Sequence, residues 1–228
     1  MSALAGAFAR AGVTLELILV DNGSTDETSA VIDRLIARGL PVTKLVVPVN
    51  RGAGLGIRTG LAAANGAHIG YINADGQVAA EDVVRIFEAT RGALPNAVVK
   101  ARRRNRPDGV IRAAISIVYN AIMPILFSGI SARDINGNPK ILPANVMRLM
   151  QLSSDDWFLE AEVMLKARYL RLPVVEVDVP SERRRGGRSH VRIGTVAEFL
   201  WNISVYRLGG PWRSWREQVA KVAASEAR

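Results

Sequence analysis

Leu17-Ile18-Leu19-Val20-Asp21-Asn22-Gly23-Ser24-Thr25-Asp26 is an apolar run that ends in a carboxylate beside a glycine turn. Such a strand places Asp21 at the carboxyl edge of a sheet, where open α/β folds bind their ligands. The pattern returns downstream as His68-Ile69-Gly70-Tyr71-Ile72-Asn73-Ala74-Asp75-Gly76-Gln77. Asn73, Asp75 and Gln77 lie two apart, so a backbone that stayed extended would turn all three oxygen donors to one side. Three such donors suit a hard divalent cation, Mg2+ or Mn2+, which takes carboxylate and amide oxygens and often bridges to phosphates. The competing reading is a plain turn, since Asn, Asp and Gly are the commonest turn residues.

Outward from these two stretches, strand and helix alternate. Residues 2 to 11 read as helix, Leu15 to Val20 as strand, and Thr25 to Arg38 as a helix with Thr25, Asp26 and Glu27 in its first turn. Val42 to Val47 reads as strand, Asn50 to Gly60 opens a helix reaching Ala64, and His68 to Ile72 is the next strand. Helix Glu81 to Arg91 and strand Ala97 to Lys100 follow. After an apolar helical stretch come a polar turn from Asp134 to Lys140, strand Ile141-Leu142 and a short helix. The chain continues with helix Trp157 to Leu170, strand Val174 to Val179, a basic loop from Arg183 to His190 and a helix from Gly194 to about Leu208. This order predicts an α/β fold with a mostly parallel, Rossmann-like sheet flanked by helices, and with basic amphipathic helices at the carboxyl end. No repeat or linker divides it, so residues 1–205 read as one domain and 206–228 as a basic tail.

The glycines of Asn50-Arg51-Gly52-Ala53-Gly54-Leu55-Gly56-Ile57-Arg58 do not form a dinucleotide fingerprint, because the third comes one place early. They leave either a backbone able to approach a ligand before a helix amino terminus, with Arg51 and Arg58 nearby, or a simple turn.

At 228 residues and 49% hydrophobic content the chain has ample material for one core. It has no cysteine, which excludes disulfides, thiolate zinc sites and a cysteine nucleophile together. Thirty Lys and Arg against twenty-one Asp and Glu leave a charge of +9, concentrated in Arg102 to Arg112 and Arg183 to Arg192. Arginine favours planar contacts with phosphate, so the clusters fit a diphosphate ligand, nucleic acid or an anionic membrane surface. No run reaches the roughly 18 to 20 apolar residues needed to span a bilayer, and no signal peptide is evident, so the expected place is the cytoplasm. Val110 to Ile130, interrupted by Arg112, Ser116, Tyr119 and Asn120 and bent at Pro124, reads either as a helix in a membrane interface or as a core helix.

The ordered set Val20 to Asp26, Asn50-Arg51-Gly52, Asn73 to Gln77, Asp134 to Lys140, Trp157 to Glu162 and Arg185 to His190 resembles family 2 glycosyltransferases of the GT-A fold. It is most similar to the branch that makes dolichyl- or polyprenyl-phosphate mannose and glucose, over roughly residues 15 to 205. The resemblance implies an inverting, metal-dependent transfer of a sugar from a UDP- or GDP-linked donor to a polyprenyl or dolichyl phosphate at the inner face of the cytoplasmic membrane. Asp21, Asn22, Asn50, Gly52, Arg58, Asn73, Ala74, Asp75 and Arg102 would meet the nucleotide-sugar. Asn73, Asp75 and Gln77 would hold Mg2+ or Mn2+ on its diphosphate. Arg112, Ser116, Arg185, Arg188, Ser189 and His190 would meet the acceptor phosphate, with His190 standing where the family has Lys.

Charge builds on the leaving diphosphate during such a transfer, so a cation and arginines aimed there stabilise the transition state. An ionised lipid phosphate needs little general base. An alcohol acceptor would need one, for which Asp134, Glu160 and Glu162 are the candidates, the alternative for both Glu residues being a solvated helix face. Two departures stand out. Asn73 replaces the first carboxylate of the metal motif, and the chain begins after the strand with which the family opens. A degenerate member that binds nucleotide-sugar or a partner without turnover is therefore a competing expectation. Nucleic-acid binding is disfavoured, because the arginines lack the aromatic interleaving that stacks bases.

Overall fold

In the computed structural model, residues 1–104, 133–180, 205–206 and 209–226 are described. The elements are α1 (Ser2–Arg10), β1 (Leu17–Asn22), α2 (Thr28–Ala37), β2 (Val42–Val47), α3 (Ala53–Ala63), β3 (His68–Tyr71), α4 (Ala80–Glu88) and β4 (Val98–Arg104). They continue with β5 (Lys140–Pro143), α5 (Ala144–Met150), α6 (Leu159–Tyr169), β6 (Val174–Pro180) and α7 (Gly210–Glu226). The stretches Val110 to Ile130 and Arg183 to His190 lie outside the described residues. Of the expected helix from Gly194, only Val205 and Tyr206 are described.

β1 and β2 pair in parallel, with Asp21 opposite Val46. The other four strands form a second sheet in the order β3-β5-β4-β6. Here the sheet is mixed: β4 and β6 run parallel, whereas β5 is antiparallel to both β3 and β4. Direction is set by the connection between strands, and the apolar pair Ile141-Leu142 carries no mark of it. Helix α3 packs against β1, β2 and β3, and so joins the two sheets.

Alternation along the strands assigns the two faces of the larger sheet. Val98, Leu142, Ile69 and Tyr71 pack with Met147, Met150, Leu159 and Val163 of α5 and α6. Val99, Ala101, Ile141 and Val179 bury the opposite face against Ile86 of α4. Phe8 of α1 joins Val83 and Val84 on the outer side of α4.

Several boundaries moved from their predicted places for identifiable reasons. α2 starts at Thr28 and not at Thr25, because the Asp26 carboxylate accepts the Thr28 N–H at 3.0 Å and Asp21 accepts that of Ser24 at 3.0 Å. β4 runs on through the arginines to Arg104, because Arg102 and Arg104, two apart and thus on one face, both pair with Asp178 of β6. The basic tail forms α7 and docks inward. The Trp215 ring is buried and its Nε1–H donates to the Leu149 carbonyl at 3.0 Å, while Trp212 stacks on it with ring centres 5.2 Å apart. Trp215 and Trp212 therefore hold α7 to the body of the fold.

Candidate functional site

β1 carries Asp21 and Asn22 to the end of the smaller sheet, and Gly23 turns the chain there with φ 66°. Asp21 is buried; the hydroxyl and N–H of Ser24 hold its carboxyl below the ordinary range. The Asn22 amide donates to the Gly52 carbonyl at 2.8 Å, and the Asn50 side chain accepts the Gly52 N–H at 2.9 Å. Asn22, Asn50 and Gly52 thus form one hydrogen-bonded group, beside Asp21, whose carboxylate accepts the Ser24 N–H.

The glycine loop makes its close approach to another part of the chain. A Cβ on Gly52, whose φ is 130°, would stand 2.5 Å from the Asp155 carbonyl oxygen, and one on Gly54 would stand 2.5 Å from that of Ser154. The Leu55 N–H donates to the Asp155 carbonyl at 2.9 Å. Arg58 bonds the Asp155 carboxylate at 2.5 Å and the Ser153 carbonyl at 2.9 Å, and Arg51 lies 3.7 Å from the other Asp155 oxygen. Asp155 was not singled out in sequence; two arginines flanking a glycine loop were the available sign that a carboxylate had to meet them.

At the second motif the expected single face of donors is not formed. β3 ends at Tyr71, residues 74–75 turn, and Gly76 takes φ 71°, so the two-residue period stops. Asp75 accepts the Gln77 N–H at 3.1 Å; Asn73 and Asp75 are half-buried and Gln77 is buried. The donor set is one carboxylate and two amides, all oxygen, which still fits Mg2+ or Mn2+. Among the described residues no group of three or more His, Asp or Glu could hold an ion by itself.

The three base candidates occupy buried ion pairs. Asp134 takes both arms of Arg103, each at 3.0 Å, together with the Arg103 N–H at 3.1 Å. Glu160 pairs with Lys140 and accepts from the Asn138 amide at 2.7 Å and the Tyr71 hydroxyl at 2.9 Å. Glu162 pairs with Lys166 at 2.7 Å and accepts the N–H groups of Ser153 and Ser154, each at 2.9 Å. The solvated helix face considered for both Glu residues is overturned, since Glu160 is 4% exposed and Glu162 fully buried. Arg102 is likewise engaged, by Asp178 at 2.5 Å, and those bonds with Arg102 and Arg104 hold the Asp178 carboxyl well below its usual range. Arg112, Ser116, Arg185, Arg188, Ser189 and His190 lie outside the described residues.

Lys100, Lys140 and Lys166 are buried, and sequence reading missed all three. The sign for Lys166 was its i,i+4 spacing from Glu162; for Lys100 it was a cation at the end of the apolar run Ala97-Val98-Val99. Lys100 and Lys140 are register partners on adjacent strands. Burial first, then the charge of Lys140, push Lys100 down to about 8, against an ordinary 10.5. Below pH 8 the folded and unfolded chains both hold the proton, and the cost of burying it is fully present. Between 8 and 10.5 the unfolded chain holds more protons, so this group makes stability rise with pH. Lys100→Met should flatten the rise in urea midpoint between pH 8 and 9.5 relative to the unaltered chain.

Comparison with known proteins identifies the family and the fold. A dolichyl-phosphate beta-glucosyltransferase of Trichomonas vaginalis is 22% identical over 88% of this chain, and one of Dictyostelium discoideum is 24% identical over 72%. The chain spans 64% and 54% of the length of these two relatives. Crystal structures of glucosyl-3-phosphoglycerate synthase from Mycobacterium tuberculosis share the fold. The complex with Mn2+, UDP and phosphoglyceric acid has a TM-score of 0.68 at 18% identity and covers 92% of this chain and 74% of its own. The complex with Mg2+ and UDP has a TM-score of 0.61 at 18% identity, covering 85% and 67%. The common architecture is the GT-A fold. Residues 3–139, which hold the Asp21 and Asp75 motifs and the glycine loop between them, match the Glycosyl transferase family 2 pattern, and the chain belongs to that family.

Proposed function

We propose that this chain is an inverting, metal-dependent glycosyltransferase that moves a sugar from a UDP- or GDP-linked donor to the phosphate of a polyprenyl or dolichyl lipid at a membrane surface. The relatives' names support the reaction class. The observation that carries the acceptor is the state of the carboxylates: Asp134, Glu160 and Glu162 are each buried and bound to a cation. An alcohol acceptor requires a base within reach of its proton, whereas a phosphate acceptor arrives ionised and requires none.

In this reading Asp21, Asn22, Asn50, Gly52 and Arg58 form the wall that meets the nucleoside. Asp75, with the amide oxygens of Asn73 and Gln77, would hold the metal. Held by these residues, Mg2+ or Mn2+ would supply charge neutralisation at the leaving diphosphate. Ala74, the exposed residue at the tip of the same turn, would lie beside the sugar. Arg112, Ser116, Arg185, Arg188, Ser189 and His190 would receive the acceptor phosphate. Among the described residues no helix is long and apolar enough to cross a membrane; contact with an anionic lipid surface is supported by the basic runs Arg102 to Arg112 and Arg183 to Arg192.

Calorimetric titration with UDP and with GDP, each with and without Mn2+, tests the donor site. Manganese-dependent binding of one nucleotide is the expected result, followed by sugar transfer to a short-chain polyprenyl phosphate. If neither nucleotide binds, the fold is retained without its activity and the proposal fails.

A further inference from the structure

We propose that Glu162 is a positioning residue for the donor loop, acting through the segment from Gln151 to Asp155. The inference rests on the donor-site reading above for its functional consequence, although the linkage itself is structural. Glu162 reaches no solvent. Its Oε1 accepts the Ser153 N–H at 2.9 Å, the Ser153 hydroxyl at 2.9 Å and Lys166 Nζ at 2.7 Å, and its Oε2 accepts the Ser154 N–H at 2.9 Å. Burial works to raise this carboxyl; Lys166 and the Ser154 N–H outweigh burial and hold it below the ordinary range. Glu162 is thus an ionised anchor with both oxygens occupied. Lys166 completes the grip by donating to the Gln151 carbonyl at 3.0 Å.

The anchored segment is in turn the surface on which the donor loop is moulded. The carbonyls of Ser154, Asp155 and Asp156 fill the space that a side chain on Gly52 or Gly54 would need. Asp155 fixes Leu55 through its carbonyl and Arg58 through its carboxylate. Gly52 then holds the Asn22 amide, next to Asp21. A buried carboxylate on α6 therefore reaches the end of β1 through an unbroken series of hydrogen bonds and backbone contacts. A shift of the Ser153–Asp155 backbone must displace the loop, because the glycines leave no gap to absorb it.

A general base and a positioning anchor differ in their kinetics. Loss of the anchor weakens donor binding, so Glu162→Gln should raise the donor KM, and the manganese-dependent nucleotide Kd, roughly tenfold while kcat changes less than about twofold. Amide exchange supplies a readout that needs no ligand. In Glu162→Gln the N–H groups of Ser153, Ser154 and Leu55 should lose protection while those of β4 and β6 keep theirs. Ser153→Ala, which removes the hydroxyl bond to Glu162 and leaves that carboxylate its other partners, should likewise loosen the segment, expose Leu55 and weaken nucleotide binding. It decides the matter if Glu162→Gln does not fold.

If Leu55 stays protected in the folded variants, or kcat falls with KM unchanged, the inference is overturned. If the unaltered chain binds neither UDP nor GDP, the donor reading fails instead, and Leu55 exchange alone then decides whether Glu162 anchors the loop.

Discussion

Replacing Lys140 by alanine will destabilise the fold by about 3–5 kcal/mol, the cost of leaving one partner of a buried ion pair uncompensated. Lys140 is fully buried on β5 and its ammonium pairs with Glu160, itself 4% exposed. Without the lysine, the Glu160 carboxylate keeps two neutral donors, Asn138 and Tyr71, and loses its only countercharge among the described contacts. Removing Lys140 also relieves its cross-strand repulsion with Lys100. That relief offsets part of the loss, and the uncompensated Glu160 carboxylate sets the direction of the net effect.

The double variant Lys140→Met with Glu160→Gln should recover most of the stability. Methionine fills the space without charge, and the glutamine carbonyl still accepts from Asn138 or Tyr71. Urea unfolding of the single and double variants, with m-values compared, measures the difference. A single variant within about 1 kcal/mol of the unaltered protein would show that this pair does not hold β5 to α6.

Asp75→Asn should lower the rate of sugar transfer by about 10²- to 10³-fold, the range expected when one group that stabilises developing charge is removed. Asp75 supplies the only carboxylate among Asn73, Asp75 and Gln77. It also closes its own turn by accepting the Gln77 N–H. The asparagine carbonyl can keep that bond while removing the charge, so the substitution separates chemistry from folding. Single-turnover transfer at saturating donor and Mn2+ is the measurement, with nucleotide affinity recorded alongside. Unchanged transfer would take the metal away from this turn. Asn73→Asp should act in the opposite sense and tighten manganese-dependent nucleotide binding, because it adds a charge beside the first.

The local signals in the chain proved sound where they depended on neighbours in sequence. Alternating apolar runs marked most strands, Gly23 and Gly76 marked the two turns, and the order of motifs led to the GT-A fold. The glycine loop was legible as a place of close approach. What approaches it, the Ser154–Asp156 backbone, is about a hundred residues away in the chain, beyond the reach of any local pattern. The reach of β4 through Arg104 was hidden for the same reason, since an arginine run reads as a loop until Asp178 is brought beside it.

Composition and periodicity by themselves determined the fold class, the carboxyl-edge placement of Asp21 and the exclusion of cysteine chemistry, because each follows from the local preferences of the backbone or from the residues present. The tertiary structure alone decided the direction of β5 and the state of Asp134, Glu160 and Glu162. A carboxylate in a sequence can be a base, a ligand or a structural anion. Burial makes an unpaired charge costly, so the cation that folding brings within bonding distance decides which of these it becomes.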